Sequence, residues 1–303
     1  MFDNLAGLPN PMMLTKLAYF VSEREHIKTE REAGAKSPWT EDTILQTYRF
    51  CNVRRKDDRV SQWIIKHIIE PHNYDADLWF QLCCARIINW PPTIQALMDA
   101  KLWPATSSRF KPADFGNFID DRVKSGQKTW TGAYIITARH CPPDQGKGYW
   151  VASSMLDNLL ENYYHIEHYL TMCLEKKVAE TIDLFAGAYG FGNFITGQVV
   201  ADLTYSSFLS DALDLYSYAP IGPGSTRGLN RLFGRKLEGK IHQAQFNDEL
   251  QFVAKHVNEI LRWDPKYLTL HDWQNCMCEF DKYIRVDNGS GRPRSTYKPE
   301  TAF

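Results

Sequence analysis

Apolar residues recur at intervals of three and four through most of the chain, the period of an amphipathic helix. Met12–Phe20 is a short apolar stretch, and the mixed-charge run 23–32 (EREHIKTERE) reads as an exposed helix end. Residues 34–38 form a loop, after which Thr40 fits an N-cap with Glu41 and Asp42 in the first turn. The helix it starts runs through Ile44, Leu45 and Tyr48 into FCNVRRKDDR at 50–59. Val60, Ile64 and Ile68 mark a helix that stops before Pro71, Leu82–Ile88 one ended by Pro91-Pro92, and Ile94–Leu102 another. Residues 104–128 are the least periodic, with some order expected around Phe115 and Phe118. Trp130–Ala138 reads as a strand or equally as a buried helix, and 141–148 (CPPDQGKG) as a loop. From Ser153, positions Leu156, Leu160, Tyr163, Ile166, Leu170 and Leu174 predict one long amphipathic helix. Helical patterns continue to about Trp263, and Leu268–Tyr283 is the last. There is no internal repeat, and the predicted class is all-α.

The densest information lies between Leu184 and Arg235. Gly190 and Gly192 separate two helical patterns, so the hairpin between them can turn tightly and leave bare backbone N–H groups at a helix N-terminus, a phosphate-binding device. Gly222-Pro223-Gly224-Ser225 then opens a helix on which Arg227, Arg231 and Arg235 fall at i, i+4 and i+8. Either motif alone is ordinary, as a helical turn or a solvated basic face. Together they favour a grip on a nucleic-acid backbone.

Composition sharpens this. With 303 residues and 44% apolar content the chain can bury a core as one large domain or two intimate lobes. The formal net charge is −1, so nucleic-acid contact must come from local patches. Arg227, Arg231, Arg235, Lys236 and Lys240 face one acid, Glu238, between 226 and 240. Arg49, Arg54, Arg55, Lys56 and Arg59 accompany Asp57 and Asp58, and the C-terminal segment adds Arg292, Arg294 and Lys298 against Glu300. Seven cysteines without disulfide-framework spacing suit a reducing cytoplasm. No signal-peptide pattern and no apolar run near the ~20 residues of a membrane span occur, so a soluble cytoplasmic protein without membrane association is expected.

His165-Ile166-Glu167-His168 and Cys276-Met277-Cys278 lack zinc-site spacing, so structural roles are expected and no metal ligand is assigned. Gly34-Ala35-Lys36-Ser37 lacks both the upstream glycine and the glycine before lysine of a kinase P-loop, and no G-x-G-x-x-G follows a strand.

The hairpin glycines followed by Pro220–Arg227 resemble the layout of helix-hairpin-helix base-excision glycosylases. Pro223 stands where those enzymes carry a catalytic aspartate, and proline can neither activate water nor stabilise an oxocarbenium ion, which weighs against a true glycosylase. More closely, GPGSTRGLNR at 222–231, GNFITGQVVADL at 192–203, FCNVRRKDDR at 50–59 and CEFDKYIRVDNGSGRPR at 278–294 together resemble one phage family. It comprises the α-glutamyl/putrescinyl-thymine pyrophosphorylases, or amino acid:DNA transferases, and the helical domain that accompanies 5-hydroxymethyluridine DNA kinases. The resemblance spans roughly residues 40–295. It implies an all-α, helix-hairpin-helix DNA glycosylase-like fold, with two helical lobes around a DNA-binding cleft. The whole of 1–303 would be one catalytic domain, its helix-hairpin-helix core at about 150–240 and its second lobe built from the N- and C-terminal helices. The missing P-loop argues for the stand-alone transferase rather than the kinase.

The implied reaction occurs on double-stranded phage DNA in the host cytoplasm. An amine or amino acid, with glycine the leading candidate, displaces pyrophosphate from pyrophosphorylated 5-hydroxymethyluridine, which links the enzyme functionally to a 5-hydroxymethyluridine DNA kinase. Asp58, Arg59 and Asn52, expected on one helix, are the catalytic candidates. Arg59 and Arg54 offer forked donors to pyrophosphate, and Asp58 is either the base for the amine or an arginine's ion-pair partner. Gln198, Arg227, Asn230, Glu279 and Lys282 are candidates for substrate contact, although Glu279, Asp281, Lys282 and Asp202 fit structural ion pairs equally well. Gly190, Gly192, Asn193, Gly224, Ser225, Arg231 and Arg235 are expected to meet DNA. No cofactor is assigned; a divalent cation beside the pyrophosphate is compatible with the chemistry. The competing reading is a non-catalytic DNA-binding helical partner of the kinase.

Overall fold

The computed structural model describes residues 5, 7–104, 107–131, 140–293 and 295–297. The regular structure among the described residues is helical, with α1 (Pro11–Glu32), α2 (Thr43–Thr47), α3 (Arg59–Ile64), α4 (Leu78–Ile88), α5 (Pro91–Asp99), α6 (Pro112–Lys124) and α7 (Lys147–Trp150) in the first half. There follow α8 (Asn158–Asn162), α9 (His165–Met172), α10 (Val178–Asp183), α11 (Asn193–Leu203), α12 (Pro223–Leu232), α13 (Gln243–Leu261) and α14 (Leu270–Asp287). Among the described residues β pairing is limited to an isolated antiparallel bridge between Tyr48 and Thr296. The strand-or-helix reading of Trp130–Ala138 falls mostly outside the described residues. No helix among the described residues is long and apolar enough to cross a membrane.

The chain divides into two compact units, one of residues 1–58 with 214–302 and one of 59–213. In the first, α1, α13 and α14 surround a core of Leu17, Phe20, Val21, Phe246, Leu250, Val253, Trp273 and Phe280. Asn10 caps α1 by accepting from the Met12 and Met13 N–H groups, with Pro11 at the first helical position. Thr269 and Asp272 close a capping box on α14, each side chain accepting from the other's backbone N–H. Helix α12 lies flat against α14 because Gly224 and Gly228 present no side chain there. A Cβ on Gly228 would overlap the Met277 carbonyl oxygen, and one on Gly224 the Cys278 sulfur.

The second unit is built on α4, all eleven of whose residues are buried, as a helix at the centre of a core must be. Its one cation, Arg86, is 2% exposed and meets Asp202 of α11, itself fully buried, in a two-pronged ion pair: Nε to Oδ2 at 2.6 Å and Nη2 to Oδ1 at 2.5 Å. Ser61 Oγ and Asn89 Oδ1 also accept from the guanidinium. Asp202 is thus a structural counter-ion, resolving the two sequence readings of it.

Four sequence expectations are corrected. Asp42, not Thr40, caps α2, accepting from the Ile44 and Leu45 N–H groups. The long helix predicted from Ser153 is broken into a wide turn over Val151–Asp157, α8, and α9, with Leu174 98% exposed. The wide turn adds residues per revolution and shifts the apolar stripe out of phase. Residues 112–124, read as irregular, form α6, which tolerates Gly116 because the Tyr149 backbone packs where a Cβ would stand. The run 23–32 is not wholly exposed: Arg24, Ile27 and Lys28 are buried.

A candidate site on residues 50 to 58 and the last helix

Residues 50–58 are not helical as expected. Side-chain acceptors take the backbone donors that a helix would use. The Cys51 N–H donates to Glu279 Oε2 at 3.1 Å, the Asn52 N–H to Asp58 Oδ1 at 2.9 Å and the Arg55 N–H to Asp272 Oδ1 at 2.9 Å. Only Arg55–Asp57 make a single 3-10 turn, after which Asp58 is extended. The Asn52 amide reaches forward to the Asp57 carbonyl at 2.6 Å. Asn52 and Asp58 therefore face each other across a tight loop, and Arg59, the next residue, opens α3 on an exposed position.

The floor of this loop is polar and buried. Arg24, Asn52, Arg55, Asn275 and Glu279 are each at most 7% exposed. Arg24 donates to the Phe50 and Cys51 carbonyls at 3.2 and 3.3 Å, Arg55 to Asn275 Oδ1 at 3.3 Å, and Lys282 pairs with Glu279 at 2.6 Å. Burial pushes the Asp58 carboxyl above the ordinary aspartate range, with the Glu279 charge adding to it against Arg55, the Asn52 N–H and Arg24. Burial, then Glu279 and Asp58, push the Cys51 thiol well up, so it is a poor nucleophile. Burial opposes the Lys282 ammonium, but Glu279 and Cys51 outweigh it and hold its pKa above the usual lysine value. The result is a half-buried carboxylate, Asp58, and a half-buried cation, Lys282, over a network of fixed charges. Such an arrangement can accept a proton and hold an anion.

Arg54 is engaged beside it, pairing with Asp57 at 3.0 Å and lying over the Tyr267 ring. Lys28 reaches the same Asp57 oxygen at 2.5 Å. Arg227 and Arg231 both turn onto Asp281, which is 1% exposed, at 3.1 and 2.8 Å, with Arg285 at 3.4 Å. Arg235 leaves the expected stripe: α12 ends at Leu232, Gly234 turns left-handed at φ 64°, and Arg235 pairs with the buried Glu249 at 2.5 Å. The arginine row is thereby corrected to two separate internal ion clusters. Asn230 is fully buried and its amide ties down the Leu237 and Gly239 carbonyls. Gly224 and Ser225 are buried against α14, Ser225 bonding the Gly222 carbonyl at 3.0 Å.

In the other unit, Gly190 and Gly192 lie between α10 and α11 as expected. Gly190 turns left-handed at φ 83°, and Gly192 precedes α11 with no side chain capping that helix. Asn193 is exposed there, flanked by Tyr189 and Phe194, 43% and 56% exposed. Gln198, further along α11, is 6% exposed. Among the described residues no three His, Cys, Asp or Glu side chains gather as metal ligands.

Sequence reasoning missed Arg24, Asp272 and Asn275. The first was legible: Phe20, Val21, Arg24, Ile27 and Lys28 repeat at three and four, so Arg24 sits on the buried stripe of α1. The Thr269–Asp272 spacing likewise marks a capping box.

Residues 11–292 match the family described as the 5-hmdU DNA kinase, helical domain. A 5-hmdU DNA kinase of Bacillus phage SP10 is 26% identical over 298 residues, an alignment covering 88% of this chain and 44% of the kinase. The chain thus spans less than half the length of that curated relative. No solved structure matches. Lying over nearly the whole span from α1 to the end of α14, the family match identifies this chain as belonging to the 5-hmdU DNA kinase helical-domain family.

Proposed function

We propose that this protein is a thymine-hypermodification transferase acting on phage DNA, and that residues 51–59 with α14 form its reaction site. The supporting observation is Asp58, a carboxyl raised in pKa by burial and held by the Asn52 N–H, next in sequence to the exposed Arg59. In the proposed reaction the amine nitrogen of glycine, or of a similar donor, attacks the methylene carbon on C5 of pyrophosphorylated 5-hydroxymethyldeoxyuridine. A carbon–nitrogen bond forms, the carbon–oxygen bond breaks, and the electron pair leaves with pyrophosphate. Asp58 takes the proton lost by the amine, and a pKa raised by burial makes it a stronger base than an ordinary aspartate. Arg59 and Lys282 stabilise the departing charge, with Arg54 behind them, and Glu279 keeps Lys282 in place. The α10–α11 turn, through Gly190, Gly192 and Asn193, turns the N-terminus of α11 toward the phosphate backbone. Arg227, Arg231, Arg235, Asn230, Gly224 and Ser225 then serve chiefly to hold α12 in place, and Gln198 to pack α11. The fold we infer is glycosylase-like.

A second reading has its own support. The matched relative is a kinase of which this chain covers 44%, so a DNA-binding helical partner of a 5-hydroxymethyluridine kinase is the alternative. Incubating the protein with pyrophosphorylated DNA and a mixture of amines, then analysing nucleosides by mass spectrometry, separates the two. An amine adduct with release of pyrophosphate supports transfer, whereas DNA binding without any adduct supports the partner reading.

A further inference from the structure

A cavity of about 240 Å³ lies in the first unit between α1, α2 and the C-terminal segment. Trp39 and Tyr297 stand edge to face at 6.2 Å along its wall, Ile27 and Leu45 supply its apolar lining, and Thr40 and Gln46 its polar edge. The walls are fixed. Trp39 Nε1 donates to the Ala35 carbonyl at 2.6 Å, Gln46 Nε2 to the Thr40 carbonyl at 2.7 Å, and Thr40 Oγ1 to Glu23. The Tyr297 N–H donates to the Thr47 carbonyl at 2.8 Å and the Arg49 N–H to the Ser295 carbonyl at 3.2 Å, so the C-terminal segment is strapped beside α2 to complete the wall.

We propose that this cavity receives one pyrimidine ring, the base that the protein acts on; the inference rests on the transfer reading above. None of the lining residues carries a charge, and the nearest charge at its polar edge is the Glu23 carboxylate bonded to Thr40, so the pocket favours a neutral ring over a carboxylate or a phosphate. Pockets for drug-sized ligands run about 300–1,000 Å³, so this smaller volume takes a single ring rather than a larger molecule. Aromatic faces suit a flat heterocycle, and Gln46 Nε2 is committed to Thr40, leaving its carbonyl oxygen to accept from a ring N–H. The pocket also adjoins the proposed reaction site. Arg24, which holds the Phe50 and Cys51 carbonyls, is one helical turn before Ile27 on α1.

The test is a titration of the full chain with thymidine 5′-monophosphate, followed by NMR on the tryptophan indole N–H signals, with that of Trp39 identified from Trp39→Phe. The Trp39 signal should move with thymidine nucleotide, and neither deoxyguanosine monophosphate nor glycine should move it comparably. Gln46→Leu should weaken the effect about tenfold by removing one neutral hydrogen bond, while the ligand-free spectrum stays folded. A silent Trp39 signal, an equal response to the purine or glycine, or unchanged binding by Gln46→Leu would overturn the assignment. Should the wild-type protein transfer no amine to DNA while Trp39 still answers to thymidine nucleotide, the enzymatic reading falls and the pocket stands.

Discussion

The Asn52 N–H donates to Asp58 Oδ1 at 2.9 Å, fixing the carboxylate from a position six residues earlier. Asparagine at 58 keeps that acceptor and loses the base. Turnover of Asp58→Asn is expected to drop about 10²–10⁴-fold, the usual contribution of a general base. The raised pKa adds a stability signature. A carboxyl whose pKa is higher in the folded state favours folding below its unfolded pKa, and that contribution is lost as pH rises through the folded value. At neutral pH the fold therefore carries the cost of this buried charge. Asp58→Asn should raise Tm at pH 7 while slowing the reaction, and denaturation curves beside steady-state rates check both.

Arg59 is exposed at the start of α3. Arg59→Ala should lose far more turnover than DNA affinity, because leaving-group charge develops in the transition state. Contacts of this kind contribute ~3–4 kcal/mol, a rate loss of roughly a hundredfold or more. Collapse of DNA binding with unchanged single-turnover rates would make Arg59 a backbone clamp instead.

Asp202→Ala leaves the Arg86 guanidinium buried without its carboxylate. Breaking such a pair costs about 3–5 kcal/mol, so chemical denaturation should show a loss of that order.

Arg231→Ala removes one of three cations around Asp281, with Arg227 and Arg285 remaining. Destabilisation should be smaller than for Asp202→Ala, and the salt dependence of DNA affinity should not change. A flattened slope would mean that Arg231 also meets phosphate.

Much of the fold was legible in the sequence, in particular the helical class and the placing of Gly190 and Gly192 between two helices. The boundary errors have local causes. Asp42 took the cap assigned to Thr40, whose hydroxyl instead binds Glu23 and accepts from the Asp42 N–H. The arginine row failed on one residue: Gly234, directly before Arg235, ends the helix in a left-handed turn that spacing alone ignores. Residues 50–58 were the harder case. The Cys51 and Arg55 N–H groups are satisfied by Glu279 and Asp272, more than two hundred positions away, and no local pattern encodes that. Gly224 reads as a DNA-facing glycine because close helix packing and backbone access to an anion both require glycine.

The most direct measurement of amine transfer uses isotopically labelled glycine. Wild-type protein and Asp58→Asn are incubated side by side with DNA carrying pyrophosphorylated 5-hydroxymethyldeoxyuridine, and the digested nucleosides are weighed by mass spectrometry. The expected result is a labelled thymidine adduct matched one-to-one by released pyrophosphate, strongly reduced in the variant. Unmodified nucleosides from wild-type reactions containing glycine or any other small amine, under conditions where the DNA is bound, would contradict it.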